Sequence, residues 1–236
     1  MTLGRAAASE AIGTAFLLAI VVGSGIMGDR LAQGNTAVAL LANSIATGAG
    51  LYALIAIFGP VSGAHFNPVV SGVSVWDRRL SAYQGIVYVM AQLGGAFGGV
   101  AAAHAMFGLP IVQISARTRP TLGEGLGEVI ATFGLVLVIA LAGRFKAEAI
   151  PMVVAAFITS AYWFTSSTSF ANPAVTFARA MTDTFAGISP SSVPLFIGGQ
   201  ISGALVAALF GRWLLGPCPP TSDDGSLQSN DKSRGL

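Results

Sequence analysis

The sequence predicts an all-α membrane protein with six transmembrane helices and two half-helices, arranged as an inverted repeat of three spans plus three. Of the 236 residues, 53% are hydrophobic and only 9% are charged, whereas a soluble domain carries about a quarter charged residues. Two Asn-Pro pairs, Asn67-Pro68 and Asn172-Pro173, lie inside apolar sequence. Short sequence matches also recur in the same order in both halves of the chain.

Six apolar stretches predict the spans, since about 20 residues of helix cross the hydrocarbon core of a bilayer. Residues Met1–Glu10 lack a charged segment followed by a cleavage site, so we expect the first span to be retained. We expect one domain over residues 1–216, followed by a polar tail at 217–236 that is disordered and cytoplasmic. The spans are placed at about 6–28, 36–58, 82–107, 124–143, 149–168 and 191–215.

Two shorter segments, 66–76 and 171–181, are predicted to enter the bilayer without crossing it. Each contains an Asn-Pro pair, in which asparagine is the helix N-cap and proline fits the first helical position because its missing N–H costs nothing there. The positive ends of two such half-helices, one from each half of the chain, then face a polar path.

An internal repeat relates residues of about 6–107 to residues of about 124–215. It matches Glu10 with Glu128 and Gln92 with Gln200, on either side of the matched Asn-Pro pairs. Chance similarity between apolar segments explains one match but poorly explains three in the same order. Because each copy holds an odd number of spans, the second must be upside down, which places a permeation or binding site between the copies.

The charges predict the orientation, and the composition argues against several functions. A net charge of +2 is too small to indicate nucleic acid binding. The single cysteine, Cys218, permits no intrachain disulfide, and no metal site or cofactor is expected. Positive residues favour the cytoplasmic side, so both termini are predicted to be cytoplasmic. Eight lie on the side of the termini (Arg5, Arg78, Arg79, Arg144, Lys146, Arg212, Lys232, Arg234) and four on the other (Arg30, Arg117, Arg119, Arg179).

Over residues of about 6–216 the chain resembles the aquaporin, or major intrinsic protein, family. The first signature box is residues 62–69, Ser-Gly-Ala-His-Phe-Asn-Pro-Val, and the second is residues 172–175, Asn-Pro-Ala-Val. The resemblance implies the aquaporin fold and a multi-pass protein of the bacterial inner (plasma) membrane, surrounded by the lipid bilayer. It also implies a channel rather than an enzyme, assembled as a homotetramer with one pore per subunit.

The resemblance places two Asn-Pro motifs at the midplane of the pore. Each Asn amide can cap its own helix through its oxygen while presenting N–H groups to a solute. The two helix N-termini raise the energy of a cation at the centre. Val69 replaces the alanine usual in the family, and we expect it to repack the junction of the half-helices. The midplane residues are Asn67, Pro68, Val69, Asn172, Pro173 and Ala174.

The selectivity constriction is where the sequence departs from the family. In the family pattern, the first constriction residue lies twenty positions before the first Asn, which is Thr47 here. The other three lie twelve before, three before and three after the second Asn, which gives Ser160, Ser169 and Val175. Most relatives carry arginine at the last position and at least one aromatic ring in the set. We therefore expect a wider constriction without a fixed cation, unless a shift in register brings in Tyr162 or Trp163.

Arg179 is a candidate residue of the outer mouth. It follows Val175 by four residues, so on a helix it lies on the same face, one turn further out. There it can supply the missing charge or pair with Asp183 at the next i,i+4 position, and we favour the ion pair.

Four further ionisable residues are predicted to have structural roles. Glu10 and Glu128 lie near the starts of spans, where an unpaired carboxylate is costly. We expect them to accept N–H groups from the non-helical backbone before each half-helix, rather than to relay protons. His65 is expected to be a hydrogen-bonded residue of the cytoplasmic pore wall rather than a pH gate, and His104 an interfacial residue.

These residues favour a passive channel for small uncharged polar solutes, and the resemblance implies water, glycerol and urea. The segment Asn-Pro-Ala-Val-Thr-Phe-Ala-Arg is similar to that of bacterial aquaglyceroporins from arsenic-resistance clusters, which adds arsenite, as neutral arsenous acid, and methylated arsenicals. An inverted-repeat secondary transporter is the alternative, but it requires buried carboxylates facing the cavity. A serine enzyme using Ser24 with His65 or His104 has no supporting spacing.

Overall fold

The computed structural model describes residues 1–216, which form eight α-helices. The expected tail at 217–236, with Cys218, lies outside the described residues. Short 3-10 turns at Ala147–Ala149 and Pro190–Ser192 precede the sixth and eighth helices. The helices are α1 (Leu3–Leu31), α2 (Thr36–Ser62), α3 (Pro68–Trp76), α4 (Ala82–Met106), α5 (Leu122–Phe145), α6 (Ile150–Phe164), α7 (Pro173–Arg179) and α8 (Val193–Leu215).

Six helices are long and apolar enough to cross a membrane, and the described residues contain no strand. The predicted all-α membrane fold is therefore confirmed. α2 runs further than predicted and stops at Gly63, whose φ of 88° gives the left-handed C-cap that glycine readily adopts. α6 ends earlier than predicted because Thr165 is extended, with its hydroxyl donating to the carbonyl of Ala161 at 2.7 Å.

The two halves of the chain pack alike. α1 lies along α4 in the first half, and α5 lies along α8 in the second. Glycines permit the close approach: a Cβ at Gly99 would collide with the carbonyl of Ala15, and one at Gly203 with the carbonyl of Val129. Contacts of α2 with α6, of α3 with α8 and of α4 with α7 join the halves into the predicted 3+3 arrangement.

α3 and α7 are the two half-helices, with nine and seven residues. At 1.5 Å per residue neither is longer than about 14 Å, so neither spans a bilayer. Each begins at its Asn-Pro pair. Asn67 Oδ1 accepts the N–H of Val69 at 3.0 Å, and Asn172 Oδ1 accepts the N–H groups of Ala174 at 3.0 Å and Val175 at 3.3 Å. These caps fix where each half-helix starts.

Candidate pore

A cavity of about 370 Å³ is lined by residues from both halves of the protein. Long helices contribute an apolar wall, and the non-helical segments before α3 and α7 contribute much of the polar wall. The apolar residues include Leu17, Val21, Leu51, Ile55, Leu135, Ile139, Val154 and Ile158. The polar residues include Thr47, His65, Asn67, Ser74, Arg79, Tyr162, Ser169, Asn172 and Arg179.

The segments before the two half-helices share one unusual backbone conformation. φ is 48° at both Ala64 and Phe66, three residues and one residue before the first Asn. φ is 51° at Ser169 and 48° at Ala171, at the same two places before the second Asn. Residues other than glycine enter this left-handed region at a cost of about 1 kcal/mol each or more, and only where the surroundings enforce it.

Glu10, fully buried in α1, holds the first segment in place. Its Oε1 accepts the N–H of His65 at 2.9 Å and the hydroxyl of Ser62 at 2.6 Å. Its Oε2 accepts the N–H of Phe66 at 2.7 Å and Nε2–H of Gln92 at 2.8 Å. Four donors around one carboxylate compensate for its removal from water.

Glu128, fully buried in α5, holds the second segment in the same way. Its Oε1 accepts the N–H of Phe170 at 2.8 Å, and its Oε2 accepts the N–H of Ala171 at 2.8 Å. Gln200 donates Nε2–H to the same Oε2 at 2.6 Å. The second network therefore reproduces the first at the matched positions of the repeat.

The glutamates also orient backbone carbonyl groups. In a trans peptide the N–H and C=O point in opposite directions. The N–H of His65 points to Glu10 inside the protein, so the carbonyl of Ala64 in the same peptide points the other way, toward the cavity that Ala64 lines. The same argument turns the carbonyl groups of His65, Ser169 and Phe170 toward the cavity.

The two asparagines connect the half-helices across the repeat. Asn67 donates Nδ2–H to the carbonyl of Ala171 at 2.7 Å, and Asn172 donates Nδ2–H to the carbonyl of Phe66 at 2.7 Å. Both asparagines line the cavity. An amide nitrogen carries two hydrogens, so each asparagine keeps one N–H for a solute.

The other four residues of the expected midplane set, Pro68, Val69, Pro173 and Ala174, are not part of the cavity lining. Val69 is buried in a small cluster with Val136, Ala204 and Ala207. It therefore contacts helices of the second half instead of narrowing the cavity.

Three of the four expected constriction residues line the cavity: Thr47, Ser169 and Val175. Ser160 does not, and this expectation is corrected: it is exposed, and its hydroxyl donates to the carbonyl of Phe157 at 2.7 Å. The family spacing selected the wrong residue because a non-helical segment lies between α6 and the second Asn. A fixed number of residues across such a segment does not determine which face of α6 points toward the cavity.

Tyr162 lines the cavity instead of Ser160. Val154, Ile158 and Tyr162 are spaced by four residues, which places them on one face of α6, and all three are in the lining. The Tyr162 hydroxyl donates to Thr47 Oγ1 at 3.2 Å, so the ring connects α6 to α2. An aromatic ring therefore lines the cavity, as in the alternative that allowed a shift in register to bring in Tyr162. Trp163, by contrast, is 48% exposed.

Arg179 is buried and lines the cavity beyond Val175. Its Cζ lies 3.5 Å from the centroid of the Phe170 ring, and its Nε–H donates to the carbonyl of Ala186. The favoured ion pair with Asp183 is wrong because α7 ends at Arg179, so the helical spacing no longer applies. A guanidinium group therefore lines the cavity although position 175 is valine.

The histidines have different surroundings. His65 lines the cavity, with Nδ1 3.0 Å from Ser71 Oγ and Nε2 3.4 Å from Ser74 Oγ. His104 is not interfacial as expected: it is fully buried, with Nδ1 2.9 Å from the carbonyl of Ile111 and Nε2 2.7 Å from Thr182 Oγ1. It joins α4 to the segment after α7.

The described residues contain no cluster for metal binding, and the contacts of Ser24 do not include a histidine. No group of three or more His, Cys, Asp or Glu side chains is placed to hold a metal ion in the described part of the chain. The Ser24 hydroxyl donates to the carbonyl of Ile20 at 2.5 Å and accepts Nδ2–H of Asn43 at 2.8 Å, so its contacts are structural.

Inverted repeats whose half-helices meet beside a cavity are an architecture of membrane transport proteins. The family model described as "Major intrinsic protein" matches residues 1–163, and the chain belongs to this family. It is 50% identical to "Aquaglyceroporin AqpS" from Rhizobium meliloti (strain 1021), over 92% of this chain and 93% of that relative.

Two further comparisons agree with this assignment. The chain is 30% identical to "Aquaporin AqpM" from Methanothermobacter marburgensis, over 91% of this chain and 98% of the relative. Its fold is similar to the X-ray structure of the aquaglyceroporin from Plasmodium falciparum, with a TM-score of 0.71 and 20% identity, over 91% of this chain and 97% of the other.

Phe170 and Arg119 were missed in the sequence. Phe170 lies two residues before Asn172, as His65 lies two residues before Asn67, so the repeat itself contained a signal for Phe170. The sequence contained no signal for Arg119, because this residue reaches the Phe170 ring from the connection between α4 and α5. Its Cζ lies 5.2 Å from the ring centroid.

Proposed function

We propose that the protein is a passive channel for small uncharged polar solutes: glycerol first, with water, urea and arsenous acid. The observation that carries this proposal is one cavity whose lining includes His65 and Arg79 on the side of α3, both asparagines, and Arg179 on the side of α7. The lining thus joins residues that precede each half-helix to Arg179 at the end of α7 and to Arg79 just after α3.

The chemistry of the two walls supports polyols as substrates. Carbonyl groups on the segments before α3 and α7 accept hydrogen bonds from hydroxyl groups, while the apolar wall contacts the carbon skeleton. Asn67 and Asn172 add N–H donors at the point where the half-helices meet. Such a path replaces the hydration of a neutral solute but not that of an ion. The positive ends of both half-helices raise the barrier to cations.

We propose that the selectivity constriction consists of Thr47, Tyr162, Ser169 and Val175, with Arg179 one helical turn beyond it. The valine leaves space where relatives carry arginine, while Tyr162 and Arg179 restore a ring and a cation at displaced positions. Arsenous acid is a candidate solute because it is a neutral trihydroxy compound similar in shape to glycerol. Methylated arsenicals are larger candidates for the same path.

The proposal includes a location and an assembly. Eight positive residues on the side of the termini and four on the other favour a multi-pass protein of the bacterial inner membrane, with both termini cytoplasmic. The domain is proposed to be residues 1–216. Large apolar side chains remain exposed on the spans, among them Phe16, Ile57, Met90 and Leu209, which fits contact with lipid or with other subunits of a homotetramer.

A swelling assay on proteoliposomes tests the function. Glycerol, urea and arsenous acid gradients should each drive volume changes faster than in empty liposomes, with rates that stay proportional to the gradient and need no ion gradient. Rates equal to those of empty liposomes for every solute would overturn the proposal. Saturable flux that stops without an ion gradient would favour a secondary transporter instead.

A further inference from the structure

Three arginines from two separate parts of the chain are brought together at the α7 side of the cavity. Arg117 and Arg119 lie in the connection between α4 and α5, and Arg179 ends α7. The segment 186–192 contacts all three. Its bonds are Arg179 Nε–H to the carbonyl of Ala186, Ile188 N–H to the carbonyl of Arg179 (3.2 Å), Ser189 N–H to the carbonyl of Arg117 (2.6 Å) and Arg119 N–H to Ser192 Oγ (2.8 Å).

Two of these guanidinium groups share one aromatic ring. Arg179 Cζ is 3.5 Å and Arg119 Cζ is 5.2 Å from the centroid of Phe170. Attraction to the ring holds each cation, but the two like charges lie within about 9 Å of each other and repel. Burial lowers the pKa of Arg119, Glu124 raises it, and Arg117 lowers it again.

No carboxylate lies within ion-pair distance of this cluster in residues 1–216, where the ion pairs found are those of Asp77 with Arg79 and Arg212. The acidic groups nearby are engaged elsewhere. Asp183 Oδ1 accepts the N–H of Ala116 at 2.9 Å, and Glu124 Oε2 accepts the N–H and hydroxyl of Thr121 at 3.1 and 2.8 Å. Glu128, which also acts on Arg119 and Arg179 through its charge, accepts the N–H groups of Phe170 and Ala171. The three guanidinium groups therefore have no direct carboxylate partner among the described residues.

A second feature of the same place also indicates a ligand. Ser169 is 3% exposed and lines the cavity together with Arg179, and its hydroxyl has no hydrogen-bond partner in the described residues. Arg179 donates Nε–H to the carbonyl of Ala186, which leaves the N–H groups of Nη1 and Nη2 for a ligand. The N–H groups of Arg179 and the free hydroxyl of Ser169 both belong to the lining of this cavity, and donors of this kind match the acceptors of an oxyanion.

We propose that Arg179 and Ser169 form a binding site for a small oxyanion of the sulfate, phosphate or carboxylate type, with Arg119 and Arg117 supplying further positive potential. Guanidinium groups bind such ligands through paired N–H donors. The site is at one end of the cavity, so a bound anion obstructs the path of neutral solutes. Anion binding stands independently of the proposed function, whereas the obstruction rests on it.

The test uses sulfate as the probe and the full-length protein in phosphatidylcholine liposomes. Glycerol flux is measured with sodium sulfate on both sides, against sodium chloride of equal ionic strength and osmolality. Sulfate at about ten times its Kd should remove roughly nine-tenths of the flux, and the inhibition should saturate. Sulfate should also raise the Tm of the protein above its value in chloride.

Variants separate the site from general salt effects. Arg119→Gln should raise the inhibitory sulfate concentration about tenfold, and Arg119→Lys, which keeps the charge, should restore most of the inhibition. Arg30→Gln is the matched control: Arg30 also stacks on a ring, that of Phe107 at 5.1 Å, and donates to a backbone carbonyl, but it lies outside the cluster. It should leave the sulfate effect unchanged.

The remaining outcomes distinguish the source of the anion and the point of failure. If phosphatidylglycerol in the liposomes suppresses the sulfate effect, a lipid headgroup occupies the same site; if it does not, the site selects dissolved anions. Glycerol flux that is equally fast in sulfate and chloride, or equally inhibited in wild type and Arg119→Gln, overturns the anion site alone. If glycerol flux is absent altogether, the channel proposal fails. The anion site is then tested by whether sulfate raises the Tm of the protein above its value in chloride.

Discussion

Asn67 and Ala171 are 104 residues apart in the chain, and the side-chain Nδ2–H of the first donates to the backbone carbonyl of the second at 2.7 Å. Asn172 returns the same bond to Phe66. Each half of the protein therefore supplies one side-chain donor and one backbone acceptor to the other half. The N-termini of α3 and α7 are held facing the same point, and neither half contains the whole arrangement.

Asn172→Asp should weaken the barrier to cations. The substitution removes the donor to Phe66 and puts a carboxylate where the two positive helix ends meet, which offsets their field. A barrier lowered by about 1.4 kcal/mol raises the cation leak about tenfold. Ion flux into proteoliposomes loaded with a fluorescent indicator measures the leak. Asn43→Asp is the control, since Asn43 is buried, is not among the cavity-lining residues, and bonds to the Val21 carbonyl and the Ser24 hydroxyl; a similar leak in both variants would point to general disruption.

Glu10→Gln should destabilise the protein by about 3 kcal/mol. Glutamine has nearly the same volume as glutamate, but its NH₂ group is a donor and cannot accept a hydrogen bond. It would replace one of the two oxygens that together accept four hydrogen bonds from neighbouring donors. Unfolding in detergent with a chemical denaturant measures the loss. Glu124→Gln is the matched control because Glu124 is a partly exposed capping-box residue, and glutamine also serves at that position. Equal effects of the two substitutions would contradict the role assigned to Glu10.

Val175→Arg should reduce glycerol and arsenous acid flux at least about tenfold while reducing water flux less, because the larger side chain narrows the cavity at Thr47 and Tyr162. The added charge would also repel Arg179, one turn away. Stopped-flow light scattering measures both fluxes. Val175→Leu adds volume without charge and should have a smaller effect. Unchanged glycerol flux in Val175→Arg would show that the constriction lies elsewhere.

Gly99→Ala should disrupt packing between α1 and α4, at a cost of about 1–3 kcal/mol. A Cβ at Gly99 would meet the backbone carbonyl of Ala15, which has no room to move aside. Gly98→Ala is the control, since a Cβ at Gly98 would meet nothing within 4 Å and alanine favours a helix. Thermal unfolding should separate the two variants. A lower Tm for Gly98→Ala than for Gly99→Ala would contradict the helix contact.

The fold was largely predictable because its main features are local in the sequence. Apolar length determines the spans, and an Asn-Pro pair determines where each half-helix begins. The repeat supplied the relation between halves, including the matched glutamates. The end of α6 was placed too late because residues 165–168, Thr-Ser-Ser-Thr, carry no charge, glycine or proline that would indicate a stop. The helix actually ends because the backbone of Thr165 is extended.

The lining of the cavity was less predictable because it depends on helix faces and on contacts between distant segments. Counting back from Asn172 passes through seven non-helical residues, 165–171, that do not follow the helical period, so Ser160 was chosen over Tyr162. The end of α7 at Arg179 removed the basis for the pair with Asp183. The approach of Arg119 to Phe170 has no local sequence signal at all.

The crossed bonds of the asparagines also constrain biosynthesis. Asn67 leaves the ribosome more than a hundred residues before Ala171, so the nascent first half waits in the bilayer with its amide donor and the Phe66 carbonyl unmatched. Closure must await insertion of α7 and is then a single late event that completes both bonds together. Quality-control proteases that recognise unsatisfied polar groups in lipid would meet this molecule mainly in that interval.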